Sequence, residues 1–435
     1  MRTMQSHIAG KFRGWVQAVV AVALVSVVAA CGGGGGGDSS SSGNSSSTTL
    51  NGGSLPASPT QQPIAATAAN TVPITVGRGV NGVINIPTVS VTVCPPGTTS
   101  NCQKIDNIQV DTGSFGLRLV SSVLNSSLLN GGLPISTLAS GAQLAECATF
   151  ADGYTWGTVR TATVQIGGET TATGIPIQII GDSAAGAAPS GCGSGPAENT
   201  ATDLGANGIL GIGTAPTDCG ATCSTPSTAA TYSNYFTCGT SCARATVPLN
   251  QQVANPVANF TTDNNGVIVQ MPPVSNTGAS SATGTLVFGI TPPGTQSNNA
   301  LAATQTFTTD AFGNMNNSVF NGTTVTAFFD SGSNAYFFGD SSLAQCGSNF
   351  AGFYCPSSAQ TRSITLGGLS STRASVSIGI LSASTLFGNS SNYAFNDLAG
   401  QIGGNSSFDL GLPFFYGRYM YYGFATGTQA PYVGF

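Results

Sequence analysis

Two segments of the chain repeat one pattern of acid, hydroxyl, glycine and serine. Gln109-Val110-Asp111-Thr112-Gly113-Ser114 is echoed by Phe328-Phe329-Asp330-Ser331-Gly332-Ser333, and each copy leads a strand-like run into an Asp at the start of a turn. One copy alone reads as an ordinary turn, because Asp and Ser bond nearby backbone and Gly takes unusual dihedrals. A pair allows chemistry. Two carboxylates about 3 Å apart cannot both ionise and share one proton. The ionised partner takes a proton from a water, while the protonated one hydrogen-bonds the carbonyl under attack. Gly113 and Gly332 let the turns fold tightly, and the hydroxyls of Thr112, Ser114, Ser331 and Ser333 can fix the carboxylate oxygens. Such a site needs no metal and no cofactor. The only histidine is His7, in a leader the mature chain is expected to lose, which excludes Ser-His-Asp and Cys-His catalysis and His-based metal sites.

Two turns this distant in sequence need a scaffold to bring them together, and the composition points to strands. Only 6% of the 435 residues are charged, with 16 acids against 11 Lys plus Arg, and Gly supplies 59. Polarity therefore comes from Ser, Thr, Asn and Gln, and the glycine content suits many tight turns. The acidic balance argues against a nucleic-acid partner. Short apolar or β-branched runs at 71–76, 161–168, 174–182, 266–271, 284–290 and 324–330 predict an all-β fold. Helices should be few, with 121–129 the best candidate. Asp263-Asn264-Asn265-Gly266 predicts a hairpin turn. Segments 183–205 and 214–245 read as surface insertions pinned by disulfides.

The N-terminus carries an address. Arg2, Lys11 and Arg13 precede an apolar run from Trp15 to Ala30 that ends in Val-Ala-Ala-Cys at 28–31, too short for a membrane span and followed by a processing signal. An ordinary secretory peptide is one reading. The segment also resembles a bacterial lipoprotein signal, which implies removal of residues 1–30, lipid on Cys31 and anchorage to a membrane through it. Gly32 after that cysteine favours the outer membrane, with the body facing the periplasm or the cell surface. Residues 31–70 are rich in Gly and Ser and read as a disordered tether. Ten cysteines remain, an even number that fits disulfides in an exported chain. Cys94 with Cys102 and Cys346 with Cys355 enclose short loops; the quartet Cys219, Cys223, Cys238 and Cys242 could form disulfides or hold zinc.

Beyond the two Asp motifs the sequence resembles the pepsin-like aspartic peptidases. Residues 149–168 look like that family's flap hairpin, NGILGIG at 207–213 like the segment behind the first Asp turn, and GTLVFGI at 284–290 like the strand closing the first lobe. Residues 408–435 look like its C-terminal region, with Leu410-Gly411 repeating Leu210-Gly211. The resemblance implies a bilobal all-β fold with pseudo-two-fold symmetry, lobes at 71–290 and 291–435, and a monomer. It implies Asp111 and Asp330 as the catalytic pair, Thr112 and Ser331 locking the two turns, and Ser114 and Ser333 bonding the outer carboxylate oxygens. The substrate class would be a peptide or unfolded protein, hydrolysed by a water activated between the two Asp residues, with no cofactor and no metal.

The chain departs from that pattern at the flap and after the first motif. Phe150 stands where the family usually has a tyrosine, which Tyr154 could replace only in a differently built hairpin. Phe115-Gly116-Leu117-Arg118 stands where Ser-Asn-Leu-Trp is common. Arg118 pointing at the dyad would disfavour the shared-proton state; an outward, partly packed side chain is the expectation. The chain also resembles a family of exported bacterial proteins with an Asn-Pro-Val motif, here Asn255-Pro256-Val257, for which a structural role is expected. Three readings stay open: an endopeptidase, a catalytically inactive peptidase-like binding or envelope-structure lipoprotein, and an unrelated β-rich adhesin-like or sugar-binding lipoprotein.

Overall fold

A computed structural model describes residues 53–239, 241–427 and 429–435. The leader and Cys31 lie outside the described residues. The fold is all-β: a 16-stranded sheet and a 7-stranded sheet carry nearly all regular structure, and the helices are single turns or little more. Each of the six predicted runs forms a strand: Thr71–Val76, Tyr154–Ile166, Ile175–Ile180, Gly266–Gln270, Ala282–Phe288 and Thr323–Asp330. Their alternating or fully buried patterns explain why, since each must cover one or both faces of a sheet.

One strand arrangement occurs twice. The strand Gln103–Asp111 runs parallel to Gly208–Ile212 with Asp111 opposite Gly211, and the returning strand Phe115–Val120 pairs antiparallel on the other side of Gly208–Ile212. In the smaller sheet Thr323–Asp330 runs parallel to Ser407–Gly411 with Asp330 opposite Gly411, and Tyr336–Phe338 returns antiparallel beside it. The sequence echo is thus a structural repeat in which each Asp ends the first strand of a unit. The larger sheet also takes the strands Thr306–Thr308, Tyr419–Gly423 and Tyr432–Gly434 from beyond residue 290. One apolar cluster runs through both sheets, from Ile74, Val110 and Leu210 to Phe329, Leu410 and Phe414. Phe329 stacks on Phe414 with ring centres 5.2 Å apart.

Three local expectations need correction. Residues 121–129 form only broken helical turns: a 3-10 turn at Ser121–Val123 is followed from residue 126 by a kinked helical turn that runs into Leu128–Gly132, where Gly131 and Gly132 close it. The turn at 263–266 exists but joins no hairpin: Gly266–Gln270 pairs with Ala282–Phe288 and Tyr419–Gly423 instead. Packed chain also begins before Thr71. Leu55 is buried against Phe353 and Leu398, and the Gln61 amide donates to the Gly417 carbonyl at 3.0 Å.

Five disulfides join Cys94–Cys102, Cys147–Cys192, Cys219–Cys223, Cys238–Cys242 and Cys346–Cys355. Both predicted loop-closing pairs are among them. The zinc alternative falls because all four quartet sulfurs are consumed in disulfides, and no other metal-binding cluster of His, Cys, Asp and Glu occurs among the described residues. Among the described residues no helix is long and apolar enough to cross a membrane.

Candidate active site

The two Asp turns meet. Thr112 and Ser331 interlock them through four hydrogen bonds related by the repeat. The Thr112 amide donates to Ser331 Oγ at 3.1 Å and the Ser331 amide to Thr112 Oγ1 at 2.9 Å. In turn Ser331 Oγ donates to the Val110 carbonyl at 2.7 Å and Thr112 Oγ1 to the Phe329 carbonyl at 3.2 Å. Gly113 and Gly332 are required by the close approach: a Cβ on Gly113 would lie 2.5 Å from Asp330 Cγ, and one on Gly332 would lie 2.6 Å from Asp111 Oδ1. Each turn therefore presses its backbone against the carboxyl of the other.

Each carboxyl is fixed in the same way. Asp111 Oδ1 accepts from the Gly113 amide and Asp330 Oδ1 from the Gly332 amide, both at 2.8 Å. Ser114 Oγ donates to Asp111 Oδ2, and Ser333 Oγ donates to Asp330 Oδ2 at 2.9 Å. Burial pushes Asp330 up to about 8, helped by the charge of Asp111 and a hydrogen bond with its carboxyl, while Ser333 and the Gly332 amide pull it back. Asp330 thus holds a proton at neutral pH. The arrangement can present a proton donor and a proton acceptor to one bound water.

Arg118 is not outward-facing. It is 3% exposed and lies between two acids, with Nη2 at 2.6 Å from Glu146 Oε1 and 3.3 Å from Asp218 Oδ2. A second donor, Nη1, reaches the Phe115 carbonyl at 2.8 Å, and Tyr235 OH donates to Asp218 Oδ1 at 2.5 Å. Burial opposes the charge on Arg118, but Glu146 and Asp218 outweigh it and hold the guanidinium charged. Burial, with the charge of Asp218, pushes Glu146 well above the carboxylate range despite Arg118. One cation therefore faces two carboxyls at close range, so its field is spent locally and not on the dyad. The expectation of an outward side chain failed because Glu146 and Asp218 are brought to it from distant segments.

The hairpin of Leu144–Thr149 and Tyr154–Ile166 turns at Phe150–Gly153. Phe150 packs on Val120, Ile180, Leu204 and Ile209, with its ring 5.9 Å from the Arg118 guanidinium carbon. Tyr154 packs instead against the Cys147–Cys192 disulfide cluster with Trp156 and Phe236. Segment 183–205 straps the hairpin down through that disulfide and through hydrogen bonds between Tyr154 and both Pro196 and Glu198. Segment 214–245 is pinned differently. Its disulfides are internal, and its strand Tyr235–Cys238 extends the sheet beside Leu144–Thr149.

Three residues near the dyad escape motif reading. Gln109 donates to the Gly332 carbonyl at 2.9 Å. Tyr422 OH donates to the Phe329 carbonyl at 3.1 Å, so the tyrosine beside the turns comes from the C-terminal strand. Asp409 is buried next to Asp330; the signal for it is an acid in FDLGL where the first copy reads GILGI. Asn255 braces the first turn from behind, donating to the Gly213 and Ala215 carbonyls at 3.1 and 3.3 Å. The Asn-Pro-Val motif thus has a structural role.

Residues 66–435 match the family described as "Protein of unknown function (DUF3443)", and the chain belongs to it. A comparison with curated proteins yields no match. Among solved structures the chain is similar to an aspartic proteinase from Irpex lacteus, at 17% identity and a TM-score of 0.45, over 84% of this chain and 96% of that one.

Proposed function

We propose that this member of the family is an aspartic endopeptidase of the cell envelope, tethered by lipid on Cys31, that hydrolyses peptide bonds of extended or unfolded chains. The observation that carries the reading is the interlocked pair of turns, in which Asp330 keeps its proton beside Asp111. A water between them gives one proton to Asp111 as its oxygen bonds the peptide carbonyl carbon. Asp330 gives its proton to the carbonyl oxygen. The tetrahedral intermediate then collapses: one of its two hydroxyls returns a proton to Asp330 and becomes the product carbonyl, the C–N bond breaks, and the leaving nitrogen takes the proton held on Asp111. The route needs no cofactor, metal or nucleic acid, and one chain supplies both acids.

The test uses the full chain with Cys31→Ser on unfolded protein substrates from acid to neutral pH. Cleavage should fall by at least about 1,000-fold in Asp111→Asn and in Asp330→Asn. Cleavage that survives in both variants ends the reading. The second reading, a peptidase-like binding lipoprotein, is favoured by the strapped hairpin and Phe150. It predicts no turnover, with peptide binding unchanged in both Asn variants. Anchorage is tested separately: Cys31→Ser should move the protein from the membrane to the soluble fraction.

A further inference from the structure

The peptide after Ser114, the residue whose hydroxyl holds Asp111, is fixed by a side chain. The Ser114 carbonyl accepts from the Gly213 amide at 3.0 Å, so alternation along the ladder turns the Phe115 carbonyl to the opposite edge. On that edge the Leu117 amide donates to the Ala254 carbonyl at 3.3 Å, and the Phe115 carbonyl accepts from Arg118 Nη1 at 2.8 Å. The other arm of the guanidinium leaves the turn. Nη2 reaches Glu146 on the hairpin strand Leu144–Thr149 at 2.6 Å and Asp218 in the 214–245 insertion at 3.3 Å, and the ring of Phe150 at the hairpin turn lies 5.9 Å from the guanidinium carbon. Asp218 is tied in turn: Tyr235 OH donates to its Oδ1 at 2.5 Å and accepts from the Val253 amide at 2.6 Å. Arg118, Glu146, Asp218 and Tyr235 are all buried. In the second unit Phe337 lies opposite Asp409 as Arg118 lies opposite Ile209, and it packs on Phe353. The guanidinium linkage therefore belongs to the Asp111 turn alone.

We propose that Arg118 is a positioning residue that couples the seating of the hairpin and the insertion to the order of the Asp111 turn. A planar fork can satisfy one carbonyl and two acids together only in one arrangement of the three segments that carry them. When the hairpin or the insertion shifts, Nη2 follows the acids, because a buried guanidinium parted from them is strongly disfavoured. Nη1 is then drawn off the Phe115 carbonyl, and the peptide beside Ser114 loses its orientation. Asp111 thus keeps its serine donor in place only while the hairpin is seated. Lysine cannot do the same: its single ammonium stays with the acids and leaves the carbonyl. The catalytic meaning rests on the proposed peptidase reading, whereas the coupling does not.

The experiment is amide hydrogen exchange by NMR on the full Cys31→Ser chain, with cleavage of an unfolded protein followed alongside. The probes are the Phe150 amide, which donates to the Gly153 carbonyl at the hairpin turn, and the Gly113 amide, which donates to Asp111 Oδ1; the amides of Gln360–Gly367 in the smaller sheet are the control. Tyr235→Phe removes one hydroxyl from the far end of the linkage, and Arg118→Lys keeps the charge but removes the fork. Both should speed exchange at Phe150 and Gly113 together, about threefold in Tyr235→Phe and about tenfold or more in Arg118→Lys, with the control unchanged. In Arg118→Lys kcat should fall about tenfold or more while KM stays within about twofold. A side chain that only stabilised the hairpin would move Phe150 and leave Gly113 at the parent rate. That result in Arg118→Lys would overturn the proposal, as would faster exchange that reaches the control equally. Should Arg118→Lys not fold, Gly113 in Tyr235→Phe decides. A chain that cleaves nothing but shows the joint change defeats the peptidase reading alone; cleavage with Gly113 unmoved defeats the coupling alone.

Discussion

The folded chain holds a proton on Asp330 that the unfolded chain releases near the ordinary carboxylate value. Folding moves that carboxyl from 3.8 to about 8. Because the folded value is the higher, its contribution to stability is complete at pH below about 4 and is lost as pH rises toward about 8, beyond which both states are ionised. At about 1.4 kcal/mol per pH unit the ceiling is about 6 kcal/mol. Relaxation around the ionised pair reduces the expected loss to about 2–4 kcal/mol. Asp330→Asn keeps the shape and removes the ionisation. Urea unfolding with disulfides intact, followed by Trp156 fluorescence, should show the parent losing about 2–4 kcal/mol more than the variant between pH 4.5 and 8.5. Other titrating groups are common to both proteins and cancel in that difference. A difference constant with pH, or one that grows in the parent's favour, would refute the account of Asp330.

Asp397 offers the same sign: burial lifts it to about 7 and its Oδ2 lacks a partner among the described residues. Asp397→Asn should therefore gain about 1–3 kcal/mol on the parent as pH rises from about 4 to 7, read by the same unfolding curves. Arg118→Met leaves Glu146 and Asp218 without their cation and should cost about 3–5 kcal/mol at neutral pH, measured by denaturant midpoint. Asn255→Ala strands the Gly213 and Ala215 carbonyls and should cost about 1–3 kcal/mol in the same assay. Gly113→Ala drives a methyl into the Asp330 carboxyl, so cleavage by the proposed peptidase should disappear even where circular dichroism shows the sheets intact.

What the sequence discloses depends on how locally each feature is encoded. The strands were legible because burial imprints alternation on runs such as Thr71–Val76, and the dyad was legible because its two turns are near-copies. Arg118 was misread because its partners, Glu146 and Asp218, lie in unrelated segments that carry no motif. Asp409 escapes motif reading for the opposite reason: it sits inside a recognisable segment, in which Leu410-Gly411 repeats Leu210-Gly211 while the residues around that pair vary freely. Helix at 121–129 is broken into short turns because apolar spacing cannot outweigh glycines at the end of so short a segment.

The disulfide map carries a consequence for biogenesis. Every bridged cysteine is joined to the very next bridged cysteine along the chain, with separations from 4 to 45 residues. Counting from Cys94, with Cys31 set aside for lipid as proposed above, an oxidant that couples thiols strictly in order of emergence would reach the native set without any reshuffling. No bridge spans the two halves of the repeat, so covalent maturation can be complete while the halves have yet to find each other. Assembly of the dyad is then left to the Thr112 and Ser331 hydroxyls that interlock the turns and to the aromatic packing behind them.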